Sequence, residues 1–298
     1  MKPSTKAAFR GVFVALITPM KANGEIDFTN LANQVNAMIA AGIHGLIPMG
    51  STGEFYALTR DERRAVIQAT LKAAAGRIPI VAGTNASSTA EVIACSREAE
   101  ELGCDGVMLA PPFYSLPTPD ELFAHFKAVN QAINIPIMLY NYPGRTGVDM
   151  SPDFINRLAS LKNVRYIKES TGDTTRISTL LRTCGKRIGV FCGGDAIAFE
   201  GLALGAVGWV GGIANVIPRE HVELYQLIAE QGDFDAARKL FFKILPFIQL
   251  IENGGKYTQW VKAACALVGR PAGAPRAPLQ AATAAELREI KTVLSQLK

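Results

Sequence analysis

The sequence predicts an α/β fold, a (β/α)8 TIM barrel followed by a C-terminal helical extension. Short apolar runs recur eight times along the chain, and longer segments with helical periodicity lie between them. The starts of successive runs are roughly 20 to 35 residues apart, which accommodates a strand, a helix and two loops each time. Near-continuous apolar strands alternating with helices imply a parallel sheet buried on both faces. Eight in one rhythm favour closure into a barrel over an open doubly wound sheet, and 298 residues is a comfortable length for one.

The runs occupy 12–17, 45–49, 79–83, 106–109, 136–141, 164–169, 188–192 and 208–210. Helices are expected over 28–41, 59–75, 88–102 and 119–132. Several carry start signals: Thr59 precedes Glu62 and Ser88 precedes Glu91 at capping-box spacing, and Ser151 offers a cap followed by Pro152. The barrel is assigned to residues 1–230 and the extension to 231–298. The extension reads as helices over 234–251, 258–268 and 284–297, with a Pro/Gly-rich loop at 269–278.

Composition excludes several classes. Apolar residues make up 49% and charged residues 19%, so the chain can bury a sizeable core. Lys and Arg number 31 against 26 Asp and Glu, a formal charge of +5 with no run of five like charges, which argues against a nucleic-acid partner. No apolar stretch approaches 18 residues, so no membrane partner or membrane-spanning helix is expected. Lys2, Lys6 and Arg10 before the apolar run 11–17 mimic a secretory signal. Thr18-Pro19-Met20-Lys21 stands where a cleavage site should be, however, so this run reads as the first strand of a cytoplasmic protein. Cys95, Cys104, Cys184, Cys192 and Cys265 are odd in number and form no C-x-x-C pair, which points to buried free thiols.

In such a barrel the chemistry sits at the C-terminal ends of the strands. Here those ends are poor in metal ligands: the histidines are His44, His125 and His221, with no H-E-x-x-H and no His/carboxylate cluster, so no metal is expected. Neither a G-x-G-x-x-G nor a Walker-type loop occurs. Lys168 stands out. In Val164-Arg165-Tyr166-Ile167-Lys168-Glu169, a period of two puts Val164, Tyr166 and Lys168 on one face. If that face is the barrel interior, desolvation lowers the lysine pKa and frees the amine to attack a carbonyl. The same parity turns Tyr140 inward at the end of the preceding strand, where a phenol can move protons. The loop Gly50-Ser51-Thr52-Gly53-Glu54 permits a tight turn, and its hydroxyls and backbone N–H groups make a seat for a carboxylate.

Five segments then carry a resemblance: Gly50-Ser51-Thr52-Gly53-Glu54; Tyr140-Asn141-Tyr142-Pro143-Gly144-Arg145-Thr146-Gly147; Ile167-Lys168-Glu169-Ser170-Thr171-Gly172-Asp173; Gly193-Gly194-Asp195; and Gly212-Ile213-Ala214-Asn215. In this order they resemble the dihydrodipicolinate synthase / N-acetylneuraminate lyase superfamily of class I aldolase-like enzymes, over essentially the whole chain. The resemblance implies that Lys168 forms an imine with the keto carbon of pyruvate or another small 2-oxo acid. It implies that Ser51 and Thr52, with the Gly50 turn, hold the carboxylate, and that Tyr140 is the general acid/base in a relay with Ser51. Tyr114 matches a tyrosine that reaches into a neighbouring subunit's site, which implies a dimer or tetramer. Val210 and Gly211 would line the far side of the pocket, and no cofactor is required.

Arg145 matches the arginine by which the lysine-biosynthesis synthase binds its second substrate. Ser51 in place of threonine, bulky Phe55, and Gly254-Gly255-Lys256-Tyr257 in place of an Asn-Pro segment resemble instead 1-pyrroline-4-hydroxy-2-carboxylate deaminase. That deaminase is the leading expectation. The alternatives are 4-hydroxy-tetrahydrodipicolinate synthase and a 2-keto-3-deoxy sugar acid aldolase or dehydratase. From other classes stand a phosphate-binding barrel isomerase, prompted by Gly193-Gly194 and Gly211-Gly212, and a catalytically silent binding protein.

Overall fold

The computed structural model describes residues 8–297; Lys2 and Lys6, part of the signal-like N-terminus, lie outside the described residues. Eight strands form: β1 (Gly11–Ala15), β2 (Gly45–Ile47), β3 (Val81–Gly83), β4 (Gly106–Leu109), β5 (Ile137–Asn141), β6 (Val164–Glu169), β7 (Gly189–Cys192) and β8 (Gly208–Gly211). All neighbours pair in parallel in the order β2-β1-β8-β7-β6-β5-β4-β3. A parallel bridge between Leu46 and Ile80 joins the two ends, so the sheet is a nearly closed barrel. The expected runs thus become the barrel strands, most of them a residue or two shorter.

Between and after the strands run α1 (Phe28–Ala40), α2 (Arg60–Ala74), α3 (Thr89–Glu101), α4 (Pro119–Ala132), the short α5 (Pro143–Thr146), α6 (Pro152–Leu158), α7 (Thr174–Cys184), α8 (Ala198–Ala203) and α9 (Pro218–Tyr225). The start signals operate as expected. Thr59 and Glu62 form a full capping box, and Ser151 caps the Phe154 N–H ahead of α6. Ser88 caps the Glu91 N–H without the reciprocal bond. Three further helices follow: α10 (Phe234–Asn253), α11 (Tyr257–Leu267) and α12 (Ala284–Ser295). Residues 269–278 connect α11 to α12 without regular structure. No helix among the described residues is long and apolar enough to cross a membrane, and all five cysteines are free and buried.

Two apolar layers result, because every strand is covered on both faces. Helices pack on the outside, while Phe13, Ile47, Val81, Met108, Met138, Tyr140, Phe191 and Val210 fill the inside. Phe9 closes the lower end by stacking on Tyr166, ring centroids 4.8 Å apart, and its N–H donates to the Tyr166 hydroxyl at 2.9 Å. One expectation of parity fails. Ile137 lies opposite Val164 but Met138 lies opposite Tyr166, so β6 carries an extra residue there. Val164 therefore joins the outer layer, whereas Tyr166 packs against the inner cluster and Lys168 lies beyond it in the same alternation.

Candidate active site

Lys168 stands near the end of β6, opposite Tyr140 on β5 and Phe191 on β7. It is 6% exposed, and its Nζ lies 4.4 Å from the centroid of the Tyr140 ring. Strand alternation turns the adjacent Glu169 to the outer face, where the Asn141 amide, the Thr171 N–H and Arg176 hold its carboxylate. The carboxylate nearest in sequence is thereby kept from pairing with the amine. Burial lowers the Lys168 pKa from 10.5 to about 8, with Asp195 pulling it part of the way back. A neutral amine is the nucleophilic form, so this environment raises its share near neutral pH.

Burial pushes the Tyr140 phenol up to about 12, against the positive field of Arg145 and a hydrogen bond with Ser51. At neutral pH the phenol keeps its proton and can deliver it. Gly193 has a specific reason to lack a side chain: a Cβ there would fall 2.0 Å from Ser170 Oγ and 2.8 Å from Lys168 Cγ.

These groups open into a cavity of about 590 Å3 at the C-terminal mouth of the barrel. Of the residues expected at the site, Ser51, Thr52, Tyr140, Arg145, Lys168 and Val210 line it. Three do not. Gly50 is buried behind its loop, its Cβ direction facing Met108. Gly211 points outward, where a Cβ would strike Asp195 and Trp209; strand parity makes Val210 and Gly212 the lining residues instead. Tyr114 is 95% exposed on a loop where both it (φ 75°) and Leu116 (φ 49°) adopt left-handed backbone, and it does not line this pocket.

The β7 side brings in Asp195, Glu252 and Tyr257, to which the sequence reading gave no chemical role. Asp195 accepts from Trp209 Nε1 at 2.9 Å and from the Tyr257 hydroxyl at 2.6 Å, and that hydroxyl accepts the Gly212 N–H at 3.1 Å. Glu252, from α10, accepts the N–H groups of Asp195 and Ala196 at 2.8 and 3.2 Å. Burial and the Asp195 charge raise Glu252 to about 7, and burial raises Asp195. Glu252 comes from a helix whose pattern gave no sign of a site; Tyr257 belonged to a recognised segment, which was its one available signal.

The histidines serve elsewhere. His44 accepts the Val12 N–H, His125 contacts Thr89, and His221 stacks on Trp209 at 4.0 Å. Among the described residues no three His, Cys, Asp or Glu side chains group as a metal site. Phe55 does not line the pocket; its ring packs against Phe113 and under the Arg63 guanidinium. Lys256 pairs with Glu286 outside the lining.

The arrangement brings together a buried amine of lowered pKa, a proton-bearing phenol, the hydroxyl residues Ser51 and Thr52, and a guanidinium 5.7 Å from the Tyr142 ring centroid. The model of the Dihydrodipicolinate synthetase family matches residues 8–297. A 4-hydroxy-tetrahydrodipicolinate synthase of Pelobacter propionicus is 41% identical over 91% of this chain and 92% of the relative. One of Geobacter metallireducens is 38% identical over 97% and 98%. The crystal structure of dihydrodipicolinate synthase from Aquifex aeolicus superposes with a TM-score of 0.92 at 36% identity, covering 97% of this chain and 98% of that one. The chloride-inhibited enzyme of Acinetobacter baumannii, solved with pyruvate, gives 0.93 at 33% identity, covering 97% and 99%.

Proposed function

The chain belongs to the Dihydrodipicolinate synthetase family of class I aldolase-type lyases, and from that premise we propose that Lys168 forms an imine with pyruvate or a related 2-oxo acid. The observation that carries this reading is a buried lysine without a carboxylate in contact, shifted to about 8, beside a protonated phenol. The neutral amine adds to the keto carbon. Tyr140 delivers a proton to the carbinolamine oxygen, and loss of water leaves the imine. Ser51 and Thr52 hold the carboxylate, and Ser51 passes protons to and from Tyr140. Loss of a proton from the adjacent methyl gives an enamine, with the imine nitrogen as electron sink. The enamine carbon then attacks the aldehyde of a second substrate, whose carboxylate seats on Arg145.

For the second substrate, the similarity to curated relatives supports the 4-hydroxy-tetrahydrodipicolinate synthase type over the expected pyrroline-carboxylate deaminase. Curated relatives at 36% to 41% identity carry the synthase name. One of the departures that pointed to the deaminase also loses force, because Phe55 does not line the pocket, whereas Gly255 and Tyr257 of the Gly254–Tyr257 segment do. A phosphate ligand at the β7 and β8 ends is disfavoured by the Asp195 and Glu252 carboxylates in that wall. The exposure of Tyr114 supports a role in a neighbouring copy's site, and hence self-association.

The test incubates the protein with pyruvate and either aspartate semialdehyde or 1-pyrroline-4-hydroxy-2-carboxylate. Pyruvate-dependent consumption of the semialdehyde is expected; ammonia release from the pyrroline carboxylate would restore the deaminase assignment.

A further inference from the structure

Two buried charged groups have no part in that chemistry. Lys262, on α11, is 1% exposed, and Glu54, at the end of the seat loop, is fully buried. Lys262 Nζ donates to Glu54 Oε1 at 2.7 Å, to the Thr18 carbonyl at 3.1 Å and to the Ala274 carbonyl at 3.0 Å. All three ammonium donors are used. Glu54 Oε2 accepts the Arg276 N–H at 2.8 Å. One point thus clips together the exit of β1, the seat loop and the connection between α11 and α12.

Stability alone is a weak reason for such a pair, since apolar replacement of buried ion pairs is often neutral or stabilising. Position is the better reason. The seat loop is bracketed by two non-glycine residues in left-handed backbone, Met49 at φ 62° and Glu54 at φ 59°. Such conformations are strained for side chains with a Cβ and persist only where the surroundings enforce them. Ser51 and Thr52 lie between them. The Thr18 hydroxyl holds the Gly53 carbonyl at 2.8 Å, and the side chain of Glu54 is held by Lys262 and Arg276. The same helix touches the pocket with Tyr257 in its first turn, bonded to Asp195 and to the Gly212 N–H. One rigid element therefore grips both the seat loop and the adjoining wall at Gly212, where a Cβ would fall 3.1 Å from Thr52 Oγ1.

We propose that Lys262 and Glu54 are positioning residues: through their ion pair α11 holds the Ser51–Thr52 seat in register with Lys168, and so sets the affinity for the 2-oxo acid carboxylate. This rests on the imine reading above.

The experiment measures pyruvate KM and kcat, thermal unfolding and borohydride trapping for the full chain, Lys262→Met, the doubly neutral Glu54→Gln/Lys262→Met, and the milder Glu54→Asp. Lys262→Met and the double variant are expected to raise pyruvate KM at least about tenfold while kcat stays within about threefold, the signature of lost binding rather than lost chemistry. Saturating pyruvate should still give the Lys168 adduct at wild-type stoichiometry. Glu54→Asp keeps the charge but shortens its reach, and should raise KM by about threefold or more in a fully folded protein. A double variant whose KM and unfolding temperature both return to wild type would show that the pair serves stability alone, and would overturn the proposal. An unmoved KM in folded Glu54→Asp would overturn it as well, even if the other variants fail to fold. A wild-type protein that gives no Lys168 adduct would overturn the imine reading and this inference with it, whereas an adduct with unmoved KM overturns the inference alone.

Discussion

Lys168 and Lys262 are both buried ammonium groups near the C-terminal mouth of the barrel, and both are drawn down in pKa by burial. Their surroundings differ in one respect. Lys262 spends its three donors on a carboxylate and two carbonyls, so its charge is compensated in place. Lys168 has its sequence neighbour Glu169 turned to the other face of the sheet and faces instead an aromatic ring and an open cavity. Equal burial therefore yields an anchor where partners saturate the charge and a nucleophile where they are withheld. A strand supplies the second case easily, because alternation separates adjacent residues onto opposite faces.

The sharpest break in this comparison is Lys168→Met, expected to lower turnover on the order of 10⁴-fold or more, since the nucleophile itself is removed. Next comes Lys262→Met, which leaves Glu54 buried without its counter-charge and should cost about 3–5 kcal/mol, read from denaturant unfolding. Lys168→Met should move stability in the opposite direction. A fall in pKa from 10.5 to about 8 corresponds to roughly 3 kcal/mol of penalty for holding the charge in the site at pH 7. Because the folded protein binds fewer protons than the unfolded chain between about pH 8 and 10.5, wild-type stability should gain from this group as pH rises through that window. The gain should be missing in Lys168→Met.

Tyr140→Phe sharpens the site side of the comparison. Removing the proton carrier should reduce kcat about 10²- to 10³-fold while the protein stays folded, as stopped-flow and circular dichroism would report. The smallest expected effect is in pH. With Lys168 near 8, the rate of imine formation under subsaturating pyruvate should climb about tenfold per unit below that value and level off above it.

Much of this was legible in the sequence, for identifiable reasons. The eight strands announced themselves because parallel strands covered on both faces must be apolar throughout. Lys168 and Tyr140 could be placed by parity, since their part of the sheet is regular: they are direct partners across β5 and β6. Parity failed at Val164, where the extra residue in β6 resets the alternation, while Gly211, expected from the resemblance, lies off the lining because alternation turns Val210 and Gly212 inward. The ion pair escaped because Glu54 and Lys262 are 208 residues apart: Glu54 belonged to the recognised Gly50–Glu54 loop, but nothing local to either residue marks the other as its partner. Likewise, Glu252 meets the Asp195 N–H across 57 residues. Contacts made by closure of the barrel and return of the C-terminal helices are set by tertiary geometry, which local periodicity does not encode.

The most direct test of the contrast between the two lysines is borohydride reduction in the presence of pyruvate, followed by peptide mass mapping of every lysine. The account predicts one stoichiometric adduct on Lys168 and none on Lys262, with the yield abolished in Lys168→Met. No adduct with pyruvate or any other 2-oxo acid, or an adduct on a different lysine, would contradict it.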